Sequence, residues 1–373
     1  MPDPVRDIAI IGAGNGGCAA AADLTLRGFS VRLYGRSEAT IGPIRERGGI
    51  EISGALGEGF ALLSTVTGDA GEAMGGADLV VLMGPTHAHA AMAEAIAPHL
   101  SEEQILLAAP GHTVLLIPNA LKARGCRLGA YCDTATLPYI ARKSGPSAVR
   151  ITQAARYLVF ASFPGERTAE LADRIRPVYP AIQPGANLLE TVFPYTNAIH
   201  HPPAILCNAG RVEATGGDYY HYYDGISPVV GRLIDALDRE RLRIADALGV
   251  RALPFVEQFY HIGYTTEAAR ETGLAYEAFH QSEPDRWIRA PASLDHRFLN
   301  EDVPYGLVLL CELGRLAGIE TPTIDHMIHL ASVATGKDYR AQGLTLNRVG
   351  LGGSDLQSAI DLLNHGYGRK DAS

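Results

Sequence analysis

At 373 residues the chain is too long for one ordinary core and suits two domains. Hydrophobic residues make up 47% and charged residues 20%, and no apolar run approaches the roughly 18 residues of a membrane span, which predicts a soluble, cytoplasmic globular protein with no membrane partner. A formal charge of −9 excludes the basic face that a nucleic acid or an anionic membrane would need.

The N-terminus MPDPVRDIAIIGAG lacks the basic region and long apolar core of a signal peptide and enters a strand-like run directly. Residues 7 to 34, DIAIIGAGNGGCAAAADLTLRGFSVRLY, then read as strand, glycine-rich turn, alanine-rich helix, a stop at Gly28 and a second strand. Gly12, Gly14 and Gly17 fit the G-x-G-x-x-G spacing in the setting it requires, after a strand and opening a helix. The first glycine permits the tight turn, the second lets backbone approach a pyrophosphate, and the third allows close helix-to-strand packing. The helix N-terminus, with Asn15 and Gly16 in its first turn, attracts the phosphate charge.

The end of the second strand selects the nicotinamide. An NAD site places an acid there for the ribose 2′-hydroxyl, whereas an NADP site removes it and supplies an arginine for the 2′-phosphate. Leu33-Tyr34-Gly35-Arg36-Ser37 has no acid before Glu38, which favours NADP(H) through Arg36 and Ser37 and leaves NAD(H) possible.

Further strand-like runs at 77–85, 104–111 and 127–135 alternate with helical patterns such as HAAMAEAIAPHL, so the first half reads as a doubly wound, mostly parallel sheet. Loops beyond the carboxyl ends of such strands face the cofactor, which nominates Pro85, Thr86 and His89 and makes Thr136 a candidate at the substrate; Arg142, after the last of these loops, reads equally as a substrate contact or a surface residue. His87 and His89 have a two-residue spacing, but no acid or cysteine nearby completes a metal site. The five cysteines, Cys18, Cys126, Cys132, Cys207 and Cys311, are scattered and read as reduced thiols.

PAIQPGANLLET, 180–191, carries boundary signals, and helical patterns dominate beyond it, notably at 230–250 and 308–319. This divides the chain into a dinucleotide-binding Rossmann domain, 1–187, and an all-helical domain, 188–373. In TNAIHHPPAIL, 196–206, Pro202 biases His201 away from helical geometry, which predicts a helix edge or kink at His201 with the two prolines in the first turn. In HRFLNEDVPYGL, 296–307, Arg297 and Asp302 stand five apart ahead of a helix that begins at VPYG. An aspartate suits a histidine that must hold one tautomer and carry a positive charge, and an arginine fork suits a carboxylate. Taken alone, such an Arg and Asp also read as a helix cap and a surface ion pair.

These segments together resemble the octopine/nopaline (opine) dehydrogenase family over nearly the whole chain. GAGNGG at 12–17 is similar to the family's cofactor loop, and NAIHHPPAILCNAGRVE at 197–213 to its Asn, three residues, His-Pro segment with the LxNAGRxE run that follows. YYDGISPVVGRLIDALDRERLRIADALGV resembles the next helix, and RFLNEDVPYGL the family's Arg-to-Asp segment. The resemblance implies His201 as catalytic acid–base, Asp302 as its partner, and Arg297 as the clamp for a substrate carboxylate. It leaves the adjacent His200 without a role. It also implies a reaction in which an amino acid or amine and a 2-keto acid such as pyruvate condense and the imine is reduced by NAD(P)H, in a homodimer. Tyr222, in the tyrosine-rich run 218–225, is a candidate wall for the amino acid and otherwise packing.

Two rival readings remain. A 3-hydroxyacid or ketopantoate-type NADP reductase shares this domain plan but uses a lysine of the helical half, where only Lys337 and Lys370 occur. A non-catalytic nicotinamide-binding redox sensor would need no convergent His, Arg and Asp.

Overall fold

The computed structural model describes residues 4–368, which form two compact units. The first unit contains twelve strands: β1 Asp7–Ile11, β2 Ser30–Tyr34, β3 Gly49–Gly54, β4 Gly59–Leu62, β5 Thr65–Thr67, β6 Leu79–Leu82, β7 Ile105–Ala108, β8 Ala130–Thr134, β9 Tyr139–Gly145, β10 Ala148–Ala154, β11 Leu158–Phe163 and β12 Ile182–Pro184. Eight of them make one sheet in the order β12-β11-β8-β7-β6-β1-β2-β5. The six strands from β8 to β5 run parallel, and β11 meets β8 antiparallel. Chain order reverses between β1 and β6, where a doubly wound sheet opens its ligand crevice. The central strands LVVL and ILLA are buried at every residue, as strands covered on both faces must be.

The sequence reading did not resolve a second, four-stranded sheet, β4-β3-β10-β9, which packs on the helix Asn15–Leu26. That helix buries Gly17 to Leu24 almost continuously, because small alanines let strands approach closely. Its buried Asp23 accepts from the Tyr139 hydroxyl at 2.7 Å, tying β9 to it.

The second unit, Phe193–Ala359, is helical, and its extended pairing among the described residues is a single bridge between Tyr220 and Arg289. Its longest helix, Pro228–Ala247, starts where Ser227 caps the Val230 amide and Pro228 takes the first position. Inside it Arg241 is fully buried; its Nε and Nη2 donate to Asp238 and its Nη1 to the Phe193 carbonyl. A buried guanidinium persists only when every donor is matched in this way. Glu240 receives the Thr323 and Ile324 amides at 2.8 and 2.9 Å and so caps the helix Pro322–Thr335 from a neighbouring element.

Against the expected division at 187/188, the compact units divide after Val192, and the described residues 360–368 group with the first unit. The cause is side-chain packing, with Asn364 Oδ1 accepting from Asn187 Nδ2 at 2.8 Å, and Tyr367 meeting the Phe163 ring edge-on at 4.9 Å and donating to Asn119.

Candidate active site

His201 lies inside a continuous helix, Asn197–Leu206, with Pro202 and Pro203 at its sixth and seventh positions. The expected helix edge is therefore corrected: the helix begins four residues before His201. Each proline removes one ladder donor, yet Ala198 to Leu206 are all buried, and packing of that length overrides the local bias. His201 is 5% exposed, and one face of its ring stacks on Phe298 at 3.8 Å.

Asp302 comes to His201 through a local irregularity. It immediately precedes a single π-helical turn, Val303–Leu307, that runs into the helix Val308–Ala317. Gly306 in that turn stands so close to the His201 helix that a Cβ would fall 2.3 Å from the Ala198 Cβ. This approach sets Asp302 Oδ2 at 2.7 Å from His201 Nδ1. The other carboxylate oxygen accepts from the Tyr195 hydroxyl. On the far side of the ring, His201 Nε2 is 2.7 Å from the Tyr222 hydroxyl. Tyr195, Asp302, His201 and Tyr222 thus form one buried hydrogen-bonded chain.

Burial sets the protonation of that chain. It lowers the His201 pKa well below the usual imidazole range, with the Arg297 charge adding to it, so the resting ring is neutral. It raises Asp302 to about 6, against opposing effects of the Tyr195 hydrogen bond and Arg297. It also raises Tyr222 well above the phenol range, so the hydroxyl keeps its proton and donates to Nε2. The remaining imidazole proton then sits on Nδ1, facing Asp302. At neutral pH the chain holds an ionised carboxylate beside a neutral ring and can take up one proton.

Arg297 opens the short helix Arg297–Asn300. Its Nε is held 3.1 Å from the buried Glu301, while the side chain remains 57% exposed. Anchored at Nε, the terminal fork can meet a carboxylate. His200 points elsewhere, buried among Phe255, Phe279 and Tyr222, and burial keeps it neutral. Lys337, the helical-domain lysine of the rival reading, donates from the surface to Asp295 and Asn300, both at 2.8 Å. Lys370 lies outside the described residues. Sequence reasoning missed Tyr195, which stands in the connection before the His201 helix, and gave Tyr222 as a wall or as packing; nothing local marks a tyrosine that bonds a residue about a hundred positions away, as Tyr195 does.

In the first unit, the glycine turn has the form the sequence anticipates. Gly12 has φ +124°, and a Cβ on Gly17 would fall 1.7 Å from the Gly12 carbonyl oxygen. Gly14 faces open space and precedes a helix start that no side chain caps. Open backbone at an uncapped helix N-terminus fits a pyrophosphate. Gly16 contacts Leu137, and the Asn15 side chain is committed, accepting the Lys143 amide at 2.8 Å. After β2, Arg36 and Ser37 are exposed, while the first acid, Glu38, is taken up by Arg45. Pro85 is exposed; Thr86 and His89 are buried, with Thr86 Oγ1 3.1 Å from His112 Nε2. Thr136 is exposed and its carbonyl accepts from Thr134; Arg142 lies on β9 and donates to the Ala141 carbonyl.

Comparison with known proteins gives a consistent result. Residues 184–335 match the family model described as NAD/NADP octopine/nopaline dehydrogenase, alpha-helical domain, and residues 8–129 match that of ketopantoate reductase PanE/ApbA. An opine dehydrogenase of Arthrobacter sp. (strain 1C) is 33% identical, with 95% of this chain and 99% of that protein covered. The octopine dehydrogenase of Pecten maximus is 23% identical over 82% of this chain and 81% of its own. Among solved structures, octopine dehydrogenase with NADH and L-arginine aligns with TM-score 0.76 and 17% identity, covering 98% of this chain and 99% of that one. Yersinopine dehydrogenase with NADP+ aligns with TM-score 0.73 and 16% identity over 98% and 99%.

Proposed function

The chain belongs to the opine dehydrogenase family and is an NAD(P)-dependent oxidoreductase acting on CH–NH donors, and we propose that it condenses an amino acid or simple amine with a short 2-keto acid such as pyruvate. The observation that carries this reading is the 2.7 Å contact between His201 Nδ1 and the buried Asp302, in the unit that also holds the anchored Arg297 fork.

Condensation asks for proton transfers in both directions. The substrate ammonium must first lose a proton so that its nitrogen can attack the carbonyl carbon. The resulting carbinolamine must then gain one at its hydroxyl, so that water leaves as the carbon–nitrogen double bond forms. The neutral, buried His201 accepts the first proton, Asp302 stabilises the imidazolium, and the same proton is returned at the second step. Arg297 binds the keto-acid carboxylate with its free fork and fixes the orientation of the carbonyl. Bound nicotinamide supplies the hydride that reduces the double bond.

NADPH is the preferred coenzyme in this reading. Its support is an exposed Arg36 and Ser37 beside an acid, Glu38, already neutralised by Arg45. Gly12, Gly14 and Gly17, with the backbone of Asn15 and Gly16, hold the pyrophosphate. The rival reductase reading is disfavoured because Lys337 is engaged with Asp295 and Asn300. The test is oxidation of NADPH and NADH with pyruvate and a panel of amino acids and amines, the product read by mass. A secondary amine carrying the keto-acid carbon skeleton is expected; a hydroxy acid formed without amine would overturn the proposal.

A further inference from the structure

We infer that Tyr222, and not His201 itself, is the group that exchanges protons with the substrate, with His201 acting through the Tyr222 hydroxyl. This rests on the reading of His201 and Asp302 as the acid–base pair and assigns the atom at which that pair meets the reactants.

The His201 imidazole is engaged at both ends. Its two nitrogens are both taken, Nδ1 by Asp302 and Nε2 by the Tyr222 hydroxyl, each at 2.7 Å. Phe298 stacks on the ring; His201 and Tyr222 are about equally buried, at 5% and 6% exposure, so what separates them is which hydrogen-bonding positions are already taken. No nitrogen of the resting ring is open to a reactant. A tyrosine hydroxyl that donates to Nε2 still has lone pairs with which to accept. The Tyr222 ring is held in place by parallel stacking on Phe279 at 5.1 Å and edge contact with His221 at 4.7 Å, so the hydroxyl is fixed in direction. The Arg297 charge lowers the pKa of Asp302, Tyr195, Tyr222 and His201, so an anion neutralising that charge would act on the whole chain.

The protons balance. A substrate ammonium N–H gives its proton to the Tyr222 oxygen as the Tyr222 O–H proton passes to His201 Nε2, leaving a neutral amine, an intact phenol and an imidazolium paired with ionised Asp302. Addition of the amine to the carbonyl gives an ammonium alkoxide, which becomes the neutral carbinolamine as one N–H proton passes to the alkoxide oxygen. The imidazolium then returns its proton to the Tyr222 oxygen while Tyr222 protonates the carbinolamine hydroxyl. Water leaves, the nitrogen lone pair forms the double bond, and the relay is back in its starting state. Tyr222 is never a free phenolate, in keeping with a hydroxyl whose burial raises its pKa.

The test is Tyr222→Phe, which keeps the ring on Phe279 and removes the hydroxyl. Turnover of wild type, Tyr222→Phe, His201→Ala and the double variant is measured with saturating keto acid, amine and NADPH, alongside thermal unfolding. Expected is a loss in kcat of roughly a hundredfold in Tyr222→Phe, unchanged apparent KM for the keto acid and for NADPH, and a double variant little worse than His201→Ala. The solvent deuterium isotope effect on kcat should show more than one proton in flight in wild type, a signature that a packing role would not give. Retention of more than about a third of wild-type kcat in a folded Tyr222→Phe, or a change confined to KM, overturns the relay and returns direct contact to His201. Wild-type protein that makes no secondary amine with any pair overturns the underlying reading instead.

Discussion

Gly306 and Ala198 approach so closely that a Cβ on the glycine would stand 2.3 Å from the Cβ of the alanine, and it is through this contact that the element carrying Asp302 meets the helix carrying His201. Gly306→Ala must push the two apart. It should cost about 1–3 kcal/mol of stability, the range for overpacking a closed core. The more telling effect is on activity, because a displacement of a few tenths of an ångström lengthens the His201–Asp302 hydrogen bond. Thermal unfolding and kcat measured together should both fall; a stable variant with full kcat would show that the pair does not depend on this approach.

Asp302 gives the site an acid limb. Its carboxyl is raised to about 6 by burial, and its working form is the ionised one that stabilises the imidazolium. Below that pH it is protonated and no longer balances the charge, so kcat/KM should rise with pH through about 6 in wild type. Asp302→Asn should lower kcat and abolish that limb. Stability runs the other way: a carboxyl raised in the folded state favours folding most below its unfolded value, and that contribution is lost as pH rises through about 6. The stability of wild type relative to Asp302→Asn should therefore decline between pH 4 and 6 and level off above, which unfolding curves at several pH values will read.

The neighbouring histidines should separate cleanly. His201→Ala should lower kcat by roughly a hundredfold or more. His200 packs against the rings of His201, Tyr222, Phe255 and Phe279 but makes none of the hydrogen bonds of the chain, so His200→Ala should act mainly on the unfolding temperature and less on kcat. A larger kcat loss at His200 than at His201 would count against this assignment.

Arg297→Lys preserves the charge and removes the fork. Apparent KM for the keto acid should rise by roughly tenfold, the scale of one charge-assisted hydrogen bond, with KM for NADPH unchanged. Glu301→Gln should do the same to a lesser degree, because Glu301 anchors Nε. A matching rise in the NADPH constant would remove Arg297 from its role as clamp.

Arg36→Ala tests the coenzyme. NADPH should lose roughly tenfold or more in kcat/KM, as expected for one charged contact to the 2′-phosphate, while NADH changes little. Equal losses, or a wild type that prefers NADH, would make Arg36 a bystander.

The parts of this protein that were legible from its sequence are those with local rules. A glycine at positive φ, strands buried on both faces and a long amphipathic helix each leave a signature within some thirty residues. Five of the eight strands of the large sheet, β1, β2, β6, β7 and β8, and the helix Pro228–Ala247 were therefore anticipated closely, whereas β5, β11 and β12 were not. The small sheet β4-β3-β10-β9 was not anticipated either: the pairing of β3 with β10 links residues about a hundred positions apart. The prolines after His201 misled for the opposite reason, because a strong local bias was overridden by burial along the whole helix. At the site, His201, Arg297 and Asp302 were named from the family resemblance. The bond from Tyr195 to Asp302 joins segments 107 residues apart, and that from Tyr222 to His201, though it spans only 21 residues of sequence, joins a helix to an irregular segment whose path no spacing rule encodes.

The return of Asn364 and Tyr367 to the first unit has a bearing on biogenesis. The nucleotide-binding unit is interrupted after Val192 by the whole helical unit and is completed only by residues beyond Ile360. Along the chain this unit starts before the helical one and is finished after it, whereas the helical unit is contiguous and can close as it emerges. A nascent chain halted before Asn364 holds His201, Arg297 and Asp302 but lacks the side chains that pack on Asn187 and Asn119. The last packing contacts of the first unit therefore form only after the helical unit has been made.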